Sequence, residues 1–310
     1  MEKNTKATLF ALVAVLSWST VATAFKKALE YLTHFEMVVV ASTTAMAFFA
    51  LVLTLQHKWG LVKGLGAKRW LYFALLGLLN PVTYYMVLFK AYDLLPAHIA
   101  QPINYAWPIV LLVMLAVFAR QKIPAGKYVG MFISLGGVAL ISLGSRQGGE
   151  ELPVAGLLLG FLSAFLWAAY WMVNNRNKEQ TDEMVALFMS FFFGTVYLTV
   201  ASAAMDCMGG DVPFALAHLG NVQGLLAGMY VGGFEMGIPF LFFALALRDT
   251  KNPALVNQLT YLSPFLSLFL IATILKEPIG LTTIGGLVLI VLGIVVNEIV
   301  IGKVSRRQGR

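Results

Sequence analysis

Apolar residues fall in ten long runs, at about 7–28, 36–55, 70–90, 97–118, 126–144, 153–174, 183–205, 221–246, 253–275 and 280–301. Each is near the roughly 20 residues that an α-helix needs to cross a bilayer. Polar and charged residues collect in the short connections between the runs. Membrane strands would instead be about 10 residues long with alternating polarity. Hydrocarbon offers backbone groups no partner, so the runs predict helices, and the short connections predict antiparallel neighbours in a bundle.

Polar residues inside the apolar runs recur. Gln101–Pro108 in the fourth run has an echo at Asn257–Pro264 in the ninth, 156 residues on. At that offset Asp93 meets Asp249, Tyr105 meets Tyr261, Pro108 meets Pro264, Gly130 meets Gly286 and Gly137 meets Gly293. With small gaps, Trp18 corresponds to Trp167, Glu36-Met37-Val38 to Glu183-Met184-Val185, and Asn80-Pro81 to Ile238-Pro239. The fold class expected is therefore all-α and membrane-embedded, with ten transmembrane helices as two five-helix repeats, residues 1–148 and 149–310. Five is odd, so the second repeat enters the membrane from the opposite side and the repeats are inverted.

Composition agrees with a membrane protein. Apolar residues are 59% of 310 and charged ones 12%, against about 25% charged in soluble domains. The net charge of +7 need not signal nucleic acid, because it marks orientation. Of 22 Lys and Arg, only Lys26, Lys27, Lys90, Arg146 and Lys276 fall on one side; the other 17 share the side of both termini. Positive residues favour the cytoplasm, so both termini are expected there, and the short loops fit a bacterial inner membrane. Lys3, Lys6 and Ala22-Thr23-Ala24 imitate a signal peptide, but the first run matches a later internal one, so an uncleaved helix is expected. The single cysteine, Cys207, excludes an intramolecular disulfide and a thiolate metal cluster. No metal or cofactor is expected.

Gln101, Asn104, Tyr105 and Pro108 are spaced to form one helical stripe, repeated by Asn257, Thr260, Tyr261 and Pro264. Amides in hydrocarbon need partners, either another helix or a ligand. Each proline frees a backbone carbonyl one turn earlier, making Pro108 and Pro264 candidate hinges or simple kinks. Ser163, Trp167, Tyr170, Trp171 and Asn174 share a face of the sixth run. Trp18, Trp107 and Trp167 lie too deep to anchor at the interface, which leaves core packing or the wall of a cavity for a planar or cationic ligand. Glu235 is the acid deepest in a run; it binds a ligand ammonium, carries a proton, or bonds as a neutral acid to a neighbouring helix. Asn80 and Tyr84 occupy a similar depth in the third run.

Leu16-Ser17-Trp18-Ser19, the Tyr-x-x-Pro of both stripes, and Lys276-Glu277-Pro278 followed by Gly285-Gly286 and Gly293 carry a resemblance. The chain resembles, over essentially its whole length, the drug/metabolite transporter superfamily with its paired EamA-like domains, and within it the bacterial aromatic amino acid exporters. It departs at Arg120-Gln121-Lys122, where the first repeat lacks the acid of Lys-Glu-Pro. The resemblance implies a carrier that exports small amphiphilic metabolites, aromatic amino acids foremost. It also implies a central cavity walled by the first, third, fourth, sixth, eighth and ninth helices. A proton-coupled exporter of cationic drugs is the alternative. An integral membrane enzyme would need a catalytic cluster, and neither His-Glu-x-x-His nor Gly-x-Ser-x-Gly is present; a P-loop for direct ATP coupling is absent too. A channel would more often assemble from symmetric subunits. The expected partners are a small-molecule substrate and the lipid bilayer, with no nucleic acid. Oligomeric state is left open and is compatible with a monomer.

Overall fold

The computed structural model describes residues 3–118, 120, 125–147, 152–175, 181–208, 216–250 and 253–308. All regular structure among them is helical. Seven helical stretches are long and apolar enough to cross a membrane: Thr5–Leu29, His34–Leu55, Ala67–Leu94, Ala97–Phe118, Val154–Asn174, Glu183–Ala204 and Val222–Asp249. Among the fully described residues three further apolar helical stretches are shorter, Gly126–Ile141, Thr260–Leu275 and Leu281–Asn297, and the expected count of ten is not established.

In chain order the helices are α1 (Lys3–Leu29), α2 (His34–Leu55), α3 (Trp59–Lys63), α4 (Ala67–Gly77), α5 (Tyr84–Leu94), α6 (Ala97–Asn104), α7 (Trp107–Phe118), α8 (Ala125–Gln147) and α9 (Val154–Asn175). They continue with α10 (Glu183–Met208), α11 (Val222–Val231), α12 (Ile238–Asp249), α13 (Pro253–Leu259), α14 (Ser263–Leu270) and α15 (Leu281–Gln308). Starts are set by local chemistry. The Thr33 hydroxyl accepts from Glu36 N, while the Glu36 carboxylate accepts from Thr33 N at 2.8 Å, a capping box. Glu36, fully buried, also accepts from His218 N at 2.6 Å, tying α2 to the segment before α11.

Four apolar runs are interrupted, each beside a proline. The third kinks at Asn80, with φ −144° and ψ 117°, before Pro81. The fourth breaks between α6 and α7, and the eighth passes through a π-helical turn, Gly232–Gly237, with Pro239 starting α12. The ninth breaks through a 3-10 turn, Thr260–Leu262, with Pro264 starting α14. Proline lacks an amide hydrogen and is at ease in a first helical turn, where none is needed. The stripe expected along one continuous fourth helix is therefore split: Gln101 and Asn104 belong to α6, Pro108 to α7, and Tyr105 to the break.

Helix contacts pair the two parts of the chain in a corresponding way. α1 packs on α11, α12 and α14, while α9 packs on α5, α6 and α7. α2 packs on α10, and α8 on α15. The α8–α15 crossing is antiparallel and backbone-close: Gly130 lies against Gly293, and Gly137 against Gly286. Between them the Ser134 hydroxyl donates to Ile290 O at 3.0 Å. Ser134 and Ile290 are 156 positions apart, the same offset as the repeat. Lys6 approaches Asp249 at 4.0 Å, which places the start of α1 beside the end of α12. We call this end, where α15 also finishes, the near side; the opposite end is the far side.

Candidate functional site

A cavity of about 550 Å³ opens among these helices. It is lined by Trp18 from α1, Tyr84 from α5, Gln101 and Asn104 from α6, and Tyr105 from the break. Trp107 and Pro108 from α7, Trp167 and Trp171 from α9, Glu235 from the π turn and Tyr261 from the 3-10 turn are the other expected residues that line it. The interruptions position these groups. Tyr105, Glu235 and Tyr261 stand in non-α backbone, where side chains leave the regular helical pattern and turn toward the centre.

The aromatic wall is continuous. Trp167 stacks on Tyr84 at 4.7 Å between ring centres and on Tyr170 at 5.4 Å. Trp107 stacks on Trp171 at 6.1 Å and meets Trp167 edge-on at 6.5 Å. Phe240 bridges the two corresponding indoles, 5.9 Å from Trp18 and 6.1 Å from Trp167. Phe240 and Phe243, which also contacts Trp18 at 5.6 Å, were not among the expected site residues. For Phe243 the signal available was the match of the Pro239 segment to the Pro81 segment, which sets aromatic residues three and four positions beyond each proline; Phe240, directly after Pro239, matches Val82 and had no such signal.

The polar groups are held from behind. Tyr85 Oη donates to Glu235 Oε1 at 3.2 Å, so the one acid among the described residues of the wall is anchored by a neighbouring helix and still faces the cavity. Asn104 Nδ2 donates to Ser163 Oγ at 2.9 Å, and Ser163 in turn donates to Gly160 O at 2.7 Å. Ser163 is completely buried and does not line the cavity; it orients Asn104. Tyr105 Oη donates to Ser263 Oγ at 3.2 Å, linking the break of the fourth run to that of the ninth. Gln101 is buried and its Oε1 has no donor, an acceptor held at the wall. Asn80 is buried at its kink and Pro264 in the α14 packing; neither lines the cavity. The Asn257 side chain lies outside the described residues.

Beyond Phe25, Tyr92 and Gln101, two polar contacts cross the far side. Lys26 Nζ donates to Tyr92 O at 2.9 Å and to Leu95 O at 3.1 Å, capping α5. Glu277, in the connection before α15, accepts from Ala97 N at 3.0 Å, from His98 N at 3.1 Å and bonds His98 Nδ1 at 2.6 Å. It thereby fills the donor-rich start of α6 with a carboxylate. Burial acts to raise the Glu277 carboxyl pKa, but the His98 side chain and the two backbone donors outweigh it, and the net shift is downward. Toward the near side the cavity continues past Leu111, Leu112 and Leu115 to Lys127, Leu247 and Asn297. A second cavity of about 360 Å³ lies beside it, and Trp171, Phe240, Phe243 and Leu247 line both.

Broken helices that turn aromatic and polar side chains into a central cavity define a membrane carrier. The EamA-like transporter family model matches residues 5–143 and again 154–298, and the chain belongs to that family. An aromatic amino acid exporter YddG of Ancylobacter novellus is 24% identical over 285 residues, 86% of this chain and 88% of that one. The YddG of Salmonella typhimurium is 23% identical over 62% of this chain and 63% of its own length. An uncharacterized transporter YvbV of Bacillus subtilis is 23% identical over 73% of this chain and 71% of its own. A solved crystal structure superimposes with a TM-score of 0.65 at 20% identity, over 97% of this chain and 99% of that one, which establishes likeness of fold.

Proposed function

We propose that this multi-pass membrane transporter exports small amphiphilic metabolites, aromatic amino acids foremost, by alternating access around the central cavity. The observation that carries the reading is the wall itself: stacked indole and phenol rings enclosing about 550 Å³, with one carboxylate among them. That volume suits a small solute. Trp18, Tyr84 and Trp167 receive the substrate ring. Glu235 and the free Gln101 Oε1 meet its ammonium, and Asn104 Nδ2 offers a donor to its carboxylate. Similarity to exporters named for aromatic amino acids supports the substrate class.

The reading includes two inverted repeats, residues 1–148 and 149–310, related by an axis near Ser134 and Ile290. It is supported by the corresponding partners of α1 and α9 and by the crossed glycine pairs of α8 and α15. Ten crossings place both termini in the cytoplasm of a bacterial inner membrane, with the far side outside. The halves rock about the axis, Pro108 and Pro264 marking the flexible joints, and the Lys26 and Glu277 contacts hold the outer end shut. A single chain carries the whole cavity, so a monomer suffices.

A carboxylate within an aromatic wall also suits a lone cation, which favours the proton-coupled drug exporter as the second reading. Proteoliposomes decide between them. Labelled phenylalanine and tryptophan are compared with alanine and a quaternary ammonium, with and without a pH gradient. Saturable aromatic uptake without a gradient is expected. Uptake of the ammonium alone, dependent on the gradient, would replace the first reading by the second.

A further inference from the structure

The cavity has a second polar end. Among the described residues that line it, Lys127 is the one basic side chain and Glu235 the one acidic side chain. Glu235 sits at the π turn in the middle of its run, whereas Lys127 stands in the first turn of α8, on the near side. No described acid lies within ion-pair distance of Lys127. A lysine so close to a helix end ordinarily snorkels out to the membrane surface. Here its side chain is half-buried and contributes to the cavity wall instead.

Asn297 stands beside it. One turn beyond Lys127 on the same face of α8 is Gly130, and a Cβ there would fall 2.5 Å from Asn297 Oδ1 and 2.7 Å from Asn297 Cγ. The glycine makes room for the amide. Asn297 is 7% exposed, lines the cavity, and its Oδ1 receives no hydrogen bond. With the oxygen turned against the α8 backbone, the amide nitrogen is the end left toward the cavity. An ammonium and an amide N–H₂ at the same end of the cavity, with no described acid beside them, form a donor pair that suits a carboxylate.

We propose that Lys127 and Asn297 form a carboxylate-binding station at the near end of the cavity, separate from the Glu235 station deeper in. A solute arriving from the near side is engaged first by its carboxylate, and a purely cationic solute meets a like charge. The station thus selects zwitterions and aromatic carboxylates over organic cations. The inference rests on reading the cavity as the transport site, and it sharpens the substrate class proposed for it.

The test uses full-length protein in lipid nanodiscs and two probes that each keep one charge: 3-phenylpropionate, with a carboxylate alone, and phenethylamine, with an ammonium alone. The indoles of Trp18, Trp107, Trp167 and Trp171 report binding by fluorescence. Lys127→Met is expected to weaken 3-phenylpropionate by about fivefold or more, as for a partly desolvated charge pair, with phenethylamine binding kept or improved. Lys127→Arg restores 3-phenylpropionate binding, Asn297→Asp weakens it, and Glu235→Gln weakens phenethylamine alone. The station is overturned if Lys127→Met leaves 3-phenylpropionate unchanged or weakens both probes alike. Its failure is separable from that of the transport reading. A wild-type protein that binds 3-phenylpropionate through Lys127 but carries no aromatic amino acid keeps the station and loses the substrate reading. Flux of aromatic amino acids indifferent to Lys127 does the reverse.

Discussion

Replacing Gly137 by alanine tests the α8–α15 crossing, because two physical effects of the change have opposite sign. Alanine is the better helix former by about 1 kcal/mol, so propensity alone makes Gly137→Ala stabilising. The structure demands the contrary. A Cβ on Gly137 would lie 2.9 Å from Ile290 N and 3.0 Å from Ile290 Cγ1, and it would press on Gly286 O more closely still. Two of these three atoms are backbone and cannot swing aside, so the helices must separate. Overpacking of this kind costs about 1–3 kcal/mol, and it also disturbs the Ser134–Ile290 hydrogen bond. The net expectation is a loss of about 1–2 kcal/mol. The control is the adjacent residue: a Cβ on Gly136 meets nothing within 4 Å, so Gly136→Ala keeps the propensity gain. Reversible unfolding in mixed detergent–lipid micelles measures both. Gly286→Ala should resemble Gly137→Ala, since its Cβ would lie 2.6 Å from Gly137 O. The double variant should cost less than the sum, because the first substitution opens the gap that the second needs. Equal stability of the Gly136 and Gly137 variants would refute the close crossing, and with it the placement of the proposed pseudo-symmetry axis.

Trp167→Ala removes a ring that stacks on both Tyr84 and Tyr170, and it should weaken phenylalanine binding by about 1–2 kcal/mol, roughly 5- to 30-fold, while Trp167→Phe retains most of it. Equal affinity of the two variants, measured by saturation of uptake, would remove Trp167 from the site. Glu235→Gln keeps the acceptor for Tyr85 but not the charge, so phenethylamine should bind about tenfold or more weakly at unchanged unfolding midpoint; undiminished binding would reduce Glu235 to a structural group. For Glu277 the pKa is below its ordinary 4.5, so its stabilisation is full above that pH and is lost as the pH falls from there through the lowered value. The melting-temperature difference between wild type and Glu277→Gln should therefore shrink as the pH falls below the ordinary carboxylate value; a difference that persists undiminished in strong acid would contradict the carboxylate clamp on α6.

Much of this site was legible because hydrocarbon leaves few uses for a polar residue. Trp18, Trp167, Gln101, Asn104, Tyr105, Glu235 and Tyr261 stood out as costly or repeated in apolar runs, and the fold gathers all of them at one cavity. What failed was the assumption of straight helices. Spacing of i, i+3, i+4 and i+7 locates a stripe only while the helix continues, and α6 stops at Asn104. Ser163 was legible as polar but not as a support, since its hydrogen bond to Asn104 joins residues 59 apart in the chain. Lys127 was hidden for a different reason. Near a helix end, the same residue satisfies the positive-inside rule and faces a cavity equally well, and the first use accounts for it without the second. Only the close approach of α15 to α8, which sets Asn297 against Gly130 one turn away, separates the two. The glycines that permit that approach look, in sequence, like ordinary packing residues. At the crossing they let the two backbones meet, and Gly130 leaves the room that Asn297 occupies, so helix approach and the proposed carboxylate station depend on the same missing methyl groups.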